Sequence, residues 1–339
     1  MKELTDILRK GNSLTPEEIR EACKLLLDET RDIQQRADFL HALHTKGETA
    51  QEIACFADTM LEMAVPFPLD KKKLAGPLID VCGTGGDGKD FFNVSTCVMF
   101  VVAACGAKVV KHGNRSVSSQ CGSADVLEAM GVPIHRSPEE ALLCLERCGA
   151  VFLFASDYYP VFKAVAPVRK MLGGQGIRTV FNILGPLINP AVPDYQLVGI
   201  FSSTLLEVYA STLSKLGRKR AWVVCGKNGE DEISITGETD AAETQGDTPR
   251  KFVISPKDLG FAKVEESTLY GGDAKQNALV LEGILNGSIE DGRRDIVSIN
   301  AGAALVIAGI ASDLGEGILL AKKALCDGSA WNVLKAMRV

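Results

Sequence analysis

The chain has 339 residues, 46% of them hydrophobic and 24% charged, with a net charge of −6. That is enough chain for a large core in two domains, and the composition is that of an ordinary soluble protein. The acidic balance argues against a nucleic-acid partner, no apolar run approaches the ~20 residues of a membrane span, and the polar start Met1–Asp6 does not read as a signal peptide.

The first ~65 residues read as helices. Thr15-Pro16-Glu17-Glu18 carries an N-cap, a proline at the first helical position and a capping-box glutamate, and Ile19, Ala22, Cys23 and Leu26 follow at helical spacing. Phe39, Leu40 and Leu43 continue the pattern to Gly47; Thr49 and Glu52 restart it, with Ile53, Phe56, Ala57 and Met60 on the buried face. The turn-rich, charged stretch Val65–Lys73 then reads as a linker. Beyond it, short apolar runs (Leu78–Cys82, Lys108–Lys111, Val151–Ala155, Trp222–Cys225) alternate with helix-like segments such as the one opened by Ser137-Pro138-Glu139-Glu140. This alternation predicts a largely parallel sheet with helices on its faces. Asn286–Arg294 and Glu243–Arg250 read as polar surface loops, and the Ala/Gly/Leu-rich stretch from Asn300 to Leu325 as packed helices, with Asn300 at a helix start. The fold class expected is α/β: a small N-terminal α-helical domain, residues 1–70 with a helical segment near 163–190 joined to it, on a larger, mostly parallel α/β domain, 71–339.

Most of the ten cysteines sit inside apolar runs, as buried reduced thiols do, and no CxxC pair appears. A reducing, cytoplasmic compartment is the expectation. Cys144 and Cys148 lie four apart on a predicted helix without a histidine or carboxylate partner, so no metal site is expected there. His41, His44 and His135 read as surface or packing residues, and Trp222 as core.

Three segments point to chemistry. After the strand ending at Cys82, residues 83–88 hold four glycines, and the loop closes on Asn93, Ser95 and Thr96. Such density costs backbone entropy; at the carboxyl end of a strand it lets main-chain N–H groups reach phosphate oxygens, with a helix start adding its dipole. Neither the Walker pattern nor GxGxxG is present. Second, a strand ends in Lys111, His112, Gly113, Asn114 and Arg115, and hydroxyls follow at Ser116, Ser118, Ser119 and Ser123. Cations and hydroxyl donors in one loop suit a polyanion. Third, Asp231-Glu232 follows the strand Trp222–Cys225 and a Gly226–Gly229 turn, a natural place for Mg²⁺, which takes one or two carboxylates beside substrate phosphates. Each alone has a bland reading as a solvated loop; two phosphate-suited loops after strands, with an acidic pair, favour a Mg²⁺–phosphate site.

At these residues the sequence resembles the anthranilate phosphoribosyltransferases, nearly end to end. The family's GTGGDG and Asn-x-Ser-Thr stand here as Gly83–Gly88 and Asn93-Val94-Ser95-Thr96; its KHGNRxxSSxxGSADxLE element is Lys111–Glu128; its VRxxLG and GPLxNP elements appear at Val168-Arg169 and Gly185–Pro190; its acidic pair is Asp231-Glu232. Nucleoside phosphorylases share the fold and a KHGNR-like phrase but lack the glycine loop. Two further readings stand beside these: a paralogue acting on another aromatic amine, and a non-catalytic paralogue that binds nucleic acid. The latter should lack the acidic pair and carry a basic face.

The resemblance implies transfer of the 5-phosphoribosyl group from phosphoribosyl pyrophosphate to the amine of anthranilate, releasing pyrophosphate, in tryptophan biosynthesis. It implies donor binding by Gly83, Gly86, Asp87, Asn93, Val94, Ser95, Thr96, Lys111, His112, Gly113, Asn114, Arg115, Ser116, Val117, Ser118, Ser119 and Ser123. Ser95, Asp231 and Glu232 would ligate two Mg²⁺ ions. Gly83, Asn114, Arg169 and Tyr159 would face the acceptor, and Lys111 and Arg169 would position and neutralise charge, with no protein nucleophile. A homodimer through the helical domain is implied as well. Three positions depart from the family pattern: Phe91 stands for a threonine, Tyr159 for a histidine near the acceptor's path, and Gly174-Gln175-Gly176 is an insertion.

Overall fold

The computed structural model describes residues 1–116, 120–244 and 248–339. Four helices open the chain: α1 (Lys2–Arg9), α2 (Pro16–Leu27), α3 (Ile33–Lys46) and α4 (Ala50–Leu61). The predicted caps are present; Thr15 and Thr49 each accept from the N–H three residues on, while Glu18 and Glu52 reach back to the cap N–H, so two orphan donors are satisfied at each start. Glu52 does more than cap. Its buried carboxylate also accepts from Leu14 N–H at 3.0 Å and from Lys46 Nζ at 2.6 Å, which ties α3, α4 and the α1–α2 connection together.

The second part interleaves strands and helices: β1 (Leu78–Gly83), α5 (Val94–Ala104), β2 (Lys108–Gly113), α6 (Ser123–Ala129), α7 (Pro138–Cys148), β3 (Ala150–Phe154), α8 (Ala155–Tyr158), α9 (Ala166–Gly173), β4 (Tyr195–Gly199), α10 (Leu206–Lys215), β5 (Arg220–Gly226), β6 (Thr239–Glu243), β7 (Arg250–Ile254), α11 (Ala274–Leu285), α12 (Gly292–Ile307), α13 (Leu314–Cys326) and α14 (Ser329–Met337). The strands form one sheet in the order β3-β2-β1-β4-β5-β6-β7, parallel from β3 to β5 and antiparallel for β6 and β7. The chain steps outward from β1 to β2 and β3, then returns to the other side of β1 for β4 and β5. Right-handed crossovers in opposite directions put α5 and α10 on opposite faces. The strand order therefore reverses between β1 and β4, whose ends pair Gly83 with Gly199. Ligands of open α/β sheets bind above such a reversal.

Two expectations are corrected here. Asn300 is not at a helix start; it lies in the middle of α12, because the amphipathic pattern begins earlier, at the Asp291 cap. The loop expected between Glu243 and Arg250 falls between the last residue of β6 and the first of β7, but the one expected over Asn286–Arg294 gives way to α12 at Gly292. The strand β4, Tyr195–Gly199, was not anticipated.

The region 163–190 is α9 flanked by short 3₁₀ turns, and it packs against α2, α3 and α4. Arg36, buried on α3, donates to Leu26 O at 3.3 Å and Ala164 O at 3.0 Å and so joins the opening helices to it. Asn189, fully buried, donates to Asp80 Oδ2 at 2.9 Å and Val110 O at 2.8 Å, anchoring the Gly185–Pro190 segment against β1 and β2. Among the described residues no helix is long and apolar enough to cross a membrane.

Burial alone would raise the Glu52 carboxyl, but Lys46 and the N–H donors of Thr49 and Leu14 hold it below the usual range. A depressed carboxyl stabilises above its unfolded pKa and loses that contribution as pH falls through the folded value. Glu52→Gln should therefore cost about 3 kcal/mol at pH 7 by leaving Lys46 unpaired. In urea titrations its deficit against the unaltered protein should shrink below about pH 4; a pH-independent deficit would refute the charge pairing.

Candidate functional site

The glycines after β1 fall into two groups. Gly85, Gly86 and Gly88 have φ of +64°, +76° and +72°, a backbone region that side chains other than glycine rarely adopt. Gly83 is there for close approach: a Cβ would lie 2.3 Å from Asp231 Oδ2. Across the reversal point, a Cβ on Gly199 would fall 1.4 Å from the Asp231 main-chain oxygen. The turn after β5 thus lies directly on the carboxyl ends of β1 and β4, and only glycines leave room for it.

This seating turns both acids inward. Asp231 Oδ2 accepts from Gly85 N–H at 2.7 Å, and Glu232 Oε1 accepts from Ser95 N–H at 3.2 Å, in the first turn of α5 where the helix dipole favours a negative charge. Asp87, in the glycine loop, faces Asp231. The cation beneath them is Lys111, 2% exposed, whose Nζ donates to Val81 O at 2.7 Å and Ser95 Oγ at 3.1 Å. Three half-buried carboxylates meet one buried ammonium. Burial first, and the neighbouring Asp87 second, push the Asp231 carboxyl up to about 7; burial and Asp231 push Glu232 well above its ordinary range. The excess negative charge fits a divalent cation. Among the described residues no three His, Cys, Asp or Glu side chains form a metal cage by themselves, as suits Mg²⁺, which completes its shell with water and substrate oxygens.

The remaining expected residues divide. Ser95, Lys111, Asp231, Glu232, Gly83, Gly86 and Asp87 are brought together. Val94 and Thr96 are buried at the start of α5, and Thr96 Oγ1 donates to Ser123 Oγ at 3.1 Å. Asn93 is engaged within the protein: its Nδ2 donates to Cys121 O and its Oδ1 accepts from Asn277 Nδ2, both at 3.0 Å. His112 is buried, and its Nδ1 lies 3.1 Å from Gly185 O, so that nitrogen carries the proton. Burial lowers its pKa to about 4, leaving a neutral ring. Gly113 ends β2 against Phe152. Asn114 Oδ1 accepts from Arg115 N–H at 2.8 Å. The Arg115 guanidinium is paired with Asp125 at 2.8 Å and Glu128 at 3.0 Å, and Asp125 also accepts from Ser116 N–H and Gly122 N–H, buckling the loop. Val117, Ser118 and Ser119 lie outside the described residues.

Arg169 is mostly enclosed on α9, desolvation lowers its pKa, and no carboxylate pairs with it among the described residues. Tyr159, expected on the acceptor's path, is packed inside: its hydroxyl donates to Ile188 O, and its ring stacks on Phe162 with centroids 5.0 Å apart. Phe91 tilts against Tyr270 at 6.2 Å, and Gly174–Gly176 form an exposed turn after α9.

Sequence reading missed Arg178, Asn277 and Asn300. Arg178 donates to Gly86 O and lies 3.7 Å over the Phe201 ring, pinning the glycine loop. Asn300 reaches the Asp231–Glu232 turn from α12. Its signal was available, since a lone amide in the apolar run from Ile296 to Ile307 must satisfy something.

Two family models cover the chain: a glycosyl transferase family helical bundle domain over residues 2–64 and a glycosyl transferase family a/b domain over 75–331. The anthranilate phosphoribosyltransferase of Natronomonas pharaonis is 44% identical over 338 residues, covering 100% of this chain and 99% of that protein. The crystal structure of the Thermus thermophilus anthranilate phosphoribosyltransferase matches with a TM-score of 0.90 at 38% identity, covering 99% of both chains. The Saccharomyces cerevisiae enzyme in complex with PRPP and Mg matches with a TM-score of 0.87 at 25% identity, covering 99% of this chain and 96% of that one. The chain belongs to the anthranilate phosphoribosyltransferase family.

Proposed function

We infer that the crevice above β1 and β4 moves the 5-phosphoribosyl group of phosphoribosyl pyrophosphate to the amine of anthranilate, giving N-(5-phosphoribosyl)anthranilate and pyrophosphate in tryptophan biosynthesis. The observation that carries this reading is the crowd of Asp87, Asp231 and Glu232 over Lys111 beside a glycine loop. The relatives named above support it, one of them in complex with PRPP and Mg. Ser95, Asp231 and Glu232 are the residues suited to hold Mg²⁺, in two ions. Bound there, Mg²⁺ neutralises the negative charge that grows on the departing pyrophosphate.

The chain's own groups do the rest by position. The glycine loop and the start of α5 border the place assigned to the donor's phosphates, with Gly85 N–H and Ser95 N–H holding the acids there, and the Lys111 ammonium stays fixed below them by Val81 O. The sugar carbon gains positive character as its bond to pyrophosphate breaks, so the acceptor amine attacks without a protein nucleophile once it is held in line. Arg169 is the group suited to the anthranilate carboxylate, being a half-buried guanidinium with no acid paired to it among the described residues. Asn114 is assigned to the acceptor as well. The homodimer through the opening helices belongs to the same reading; sedimentation of the pure protein at twice the chain mass is its expected outcome.

Asp231→Asn with Glu232→Gln should lower turnover by roughly 10³-fold or more, the scale of losing groups that stabilise transition-state charge. Without Mg²⁺ the same variant should melt no lower than the unaltered protein, because the crowded carboxylates oppose folding. Calorimetry should show donor binding that depends on Mg²⁺ in the unaltered protein and is lost in the variant; Mg²⁺-independent binding would refute the metal assignment.

Arg169→Lys should raise the KM for anthranilate by about tenfold, since a point charge cannot grip a carboxylate with two parallel bonds. The KM for the donor should stay near its starting value. Equal changes in both would remove Arg169 from the acceptor side.

A further inference from the structure

Asp231 and Glu232 lie in an irregular connection between β5 and β6. Their carboxylates are bound to Gly85 N–H and Ser95 N–H, contacts that orient the side chains but leave the main chain of the turn itself unheld. Something else has to fix the main chain. The next residue supplies the place: both main-chain groups of Ile233 are taken by one side chain. Ile233 N–H donates to Asn300 Oδ1 at 2.9 Å, and Asn300 Nδ2 donates to Ile233 O at 2.9 Å. The amide's second hydrogen reaches Ile296 O at 2.9 Å, one turn back on α12, which sets the direction the amide faces. Ile233 is fully buried and Asn300 is 1% exposed.

The support behind Asn300 is rigid. α12 packs between α5 and α13, and a Cβ on its Gly302 would fall 2.8 Å from Ile318 N, so the helix backbones touch. On the other side of the acidic pair, the buried Glu230 carboxylate accepts from Ser234 Oγ at 3.0 Å and Thr236 Oγ1 at 2.9 Å. The pair is therefore held at both flanks by groups that never face the crevice.

We propose that Asn300 is a positioning residue for the magnesium-binding pair: its amide clamps both main-chain groups of Ile233 and so aims Asp231 and Glu232 at the donor site before any ion binds. This rests on the assignment of those two acids to Mg²⁺ made above. Only an amide offers one acceptor and two donors at this length; aspartate has no donor when ionised, and an apolar side chain leaves both Ile233 groups unpaired in the core. A merely space-filling role would cost stability and leave the Mg²⁺ requirement unchanged.

The test is calorimetric titration with phosphoribosyl pyrophosphate over a series of Mg²⁺ concentrations, on the full-length protein and on Asn300→Asp and Asn300→Ser, with circular dichroism and melting on the same samples. In a folded variant the Mg²⁺ concentration for half-maximal donor binding should rise by roughly tenfold, as expected for loss of a buried hydrogen-bond pair. The KM for anthranilate should stay within about twofold, since no acceptor contact is touched. A folded variant whose Mg²⁺ midpoint matches the unaltered protein overturns the proposal. If neither variant folds, hydrogen exchange on the unaltered protein decides: the Ile233 amide should exchange as slowly as the centre of α12 with and without Mg²⁺, and exchange as fast as the Gly229 turn overturns it. Absence of Mg²⁺-dependent donor binding in the unaltered protein would instead remove the parent assignment, and this one with it, while the Ile233 exchange rate would still report the clamp.

Discussion

The contact on which the rest of the site depends is steric before it is electrostatic. The main chain at Asp231 lies on the end of β4 so closely that no side chain fits at Gly199, and the Asp231 carboxylate lies just as closely over the end of β1 at Gly83. With those two positions bare, the acidic turn reaches the point where the strand order reverses, the glycine loop reaches Asp231 through Gly85 N–H, and α5 begins beside Glu232. A methyl group at either glycine would push the acids outward into water, where a carboxylate pair is cheap and useless for gripping phosphates. The parallel sheet thus serves as a ruler: its register sets Gly83 opposite Gly199, and that pairing sets where the charge can sit.

Putting the charge there works against stability. Asp231 and Glu232 both sit at carboxyl pKa values above the ordinary range, with burial as the leading cause, so the protein without a cation bears the strain of acids that are reluctant to ionise. Lys111 relieves part of it from below, held by Val81 O and unable to leave. An ammonium already committed to the main chain cannot swing up to cancel the acids completely, which leaves the residual charge for the substrate complex. The same logic explains Arg169, an enclosed guanidinium with no acid opposite it among the described residues. The acidic turn and Arg169 both carry charge that the protein leaves without a full counter-charge among the described residues, and this is how they differ from a structural salt bridge such as Lys46–Glu52, which is closed on itself.

The fold and much of the site could be read from residues because the signals were local. The capping boxes at Thr15, Thr49 and Ser137 involve neighbours three residues apart, and each formed. The glycine loop was readable because three positive φ angles in four residues allow no other residue type. What escaped depends on contacts distant in sequence. Asn300 meets Ile233 across 67 residues, Arg178 meets Gly86 across 92, and neither pairing leaves a mark on its own neighbourhood beyond a polar residue in an unexpected setting. Arg115 shows the opposite error: a cation in a phosphate-suited loop looks available until Asp125 and Glu128, ten and thirteen residues on, are seen to claim it. The edge hairpin β6–β7 was missed because β6, Thr239–Glu243, carries no large apolar side chain and β7 is mostly exposed, so neither strand shows a long apolar run.

The three departures from the family pattern can now be placed by the same criterion of where each side chain spends its polar groups. Tyr159 directs its hydroxyl to Ile188 O and its ring to Phe162 and His112, so it fills interior volume behind the segment that carries Gly185. His112, neutral and bonded to Gly185 O, shares that interior. Phe91 adds a ring to the edge contact with Tyr270, next to the Lys89–Glu266 ion pair at 2.8 Å, which tethers the far end of the glycine loop. The Gly174–Gly176 turn lengthens the path between Arg169 and Arg178 without touching either guanidinium's partners. None of the three removes a charged group from the crevice. They alter how its walls are braced, and bracing is what a reaction run by positioning depends on: a donor, its Mg²⁺ and an aromatic amine brought into line tolerate a changed scaffold only as long as the groups that aim them keep their bonds.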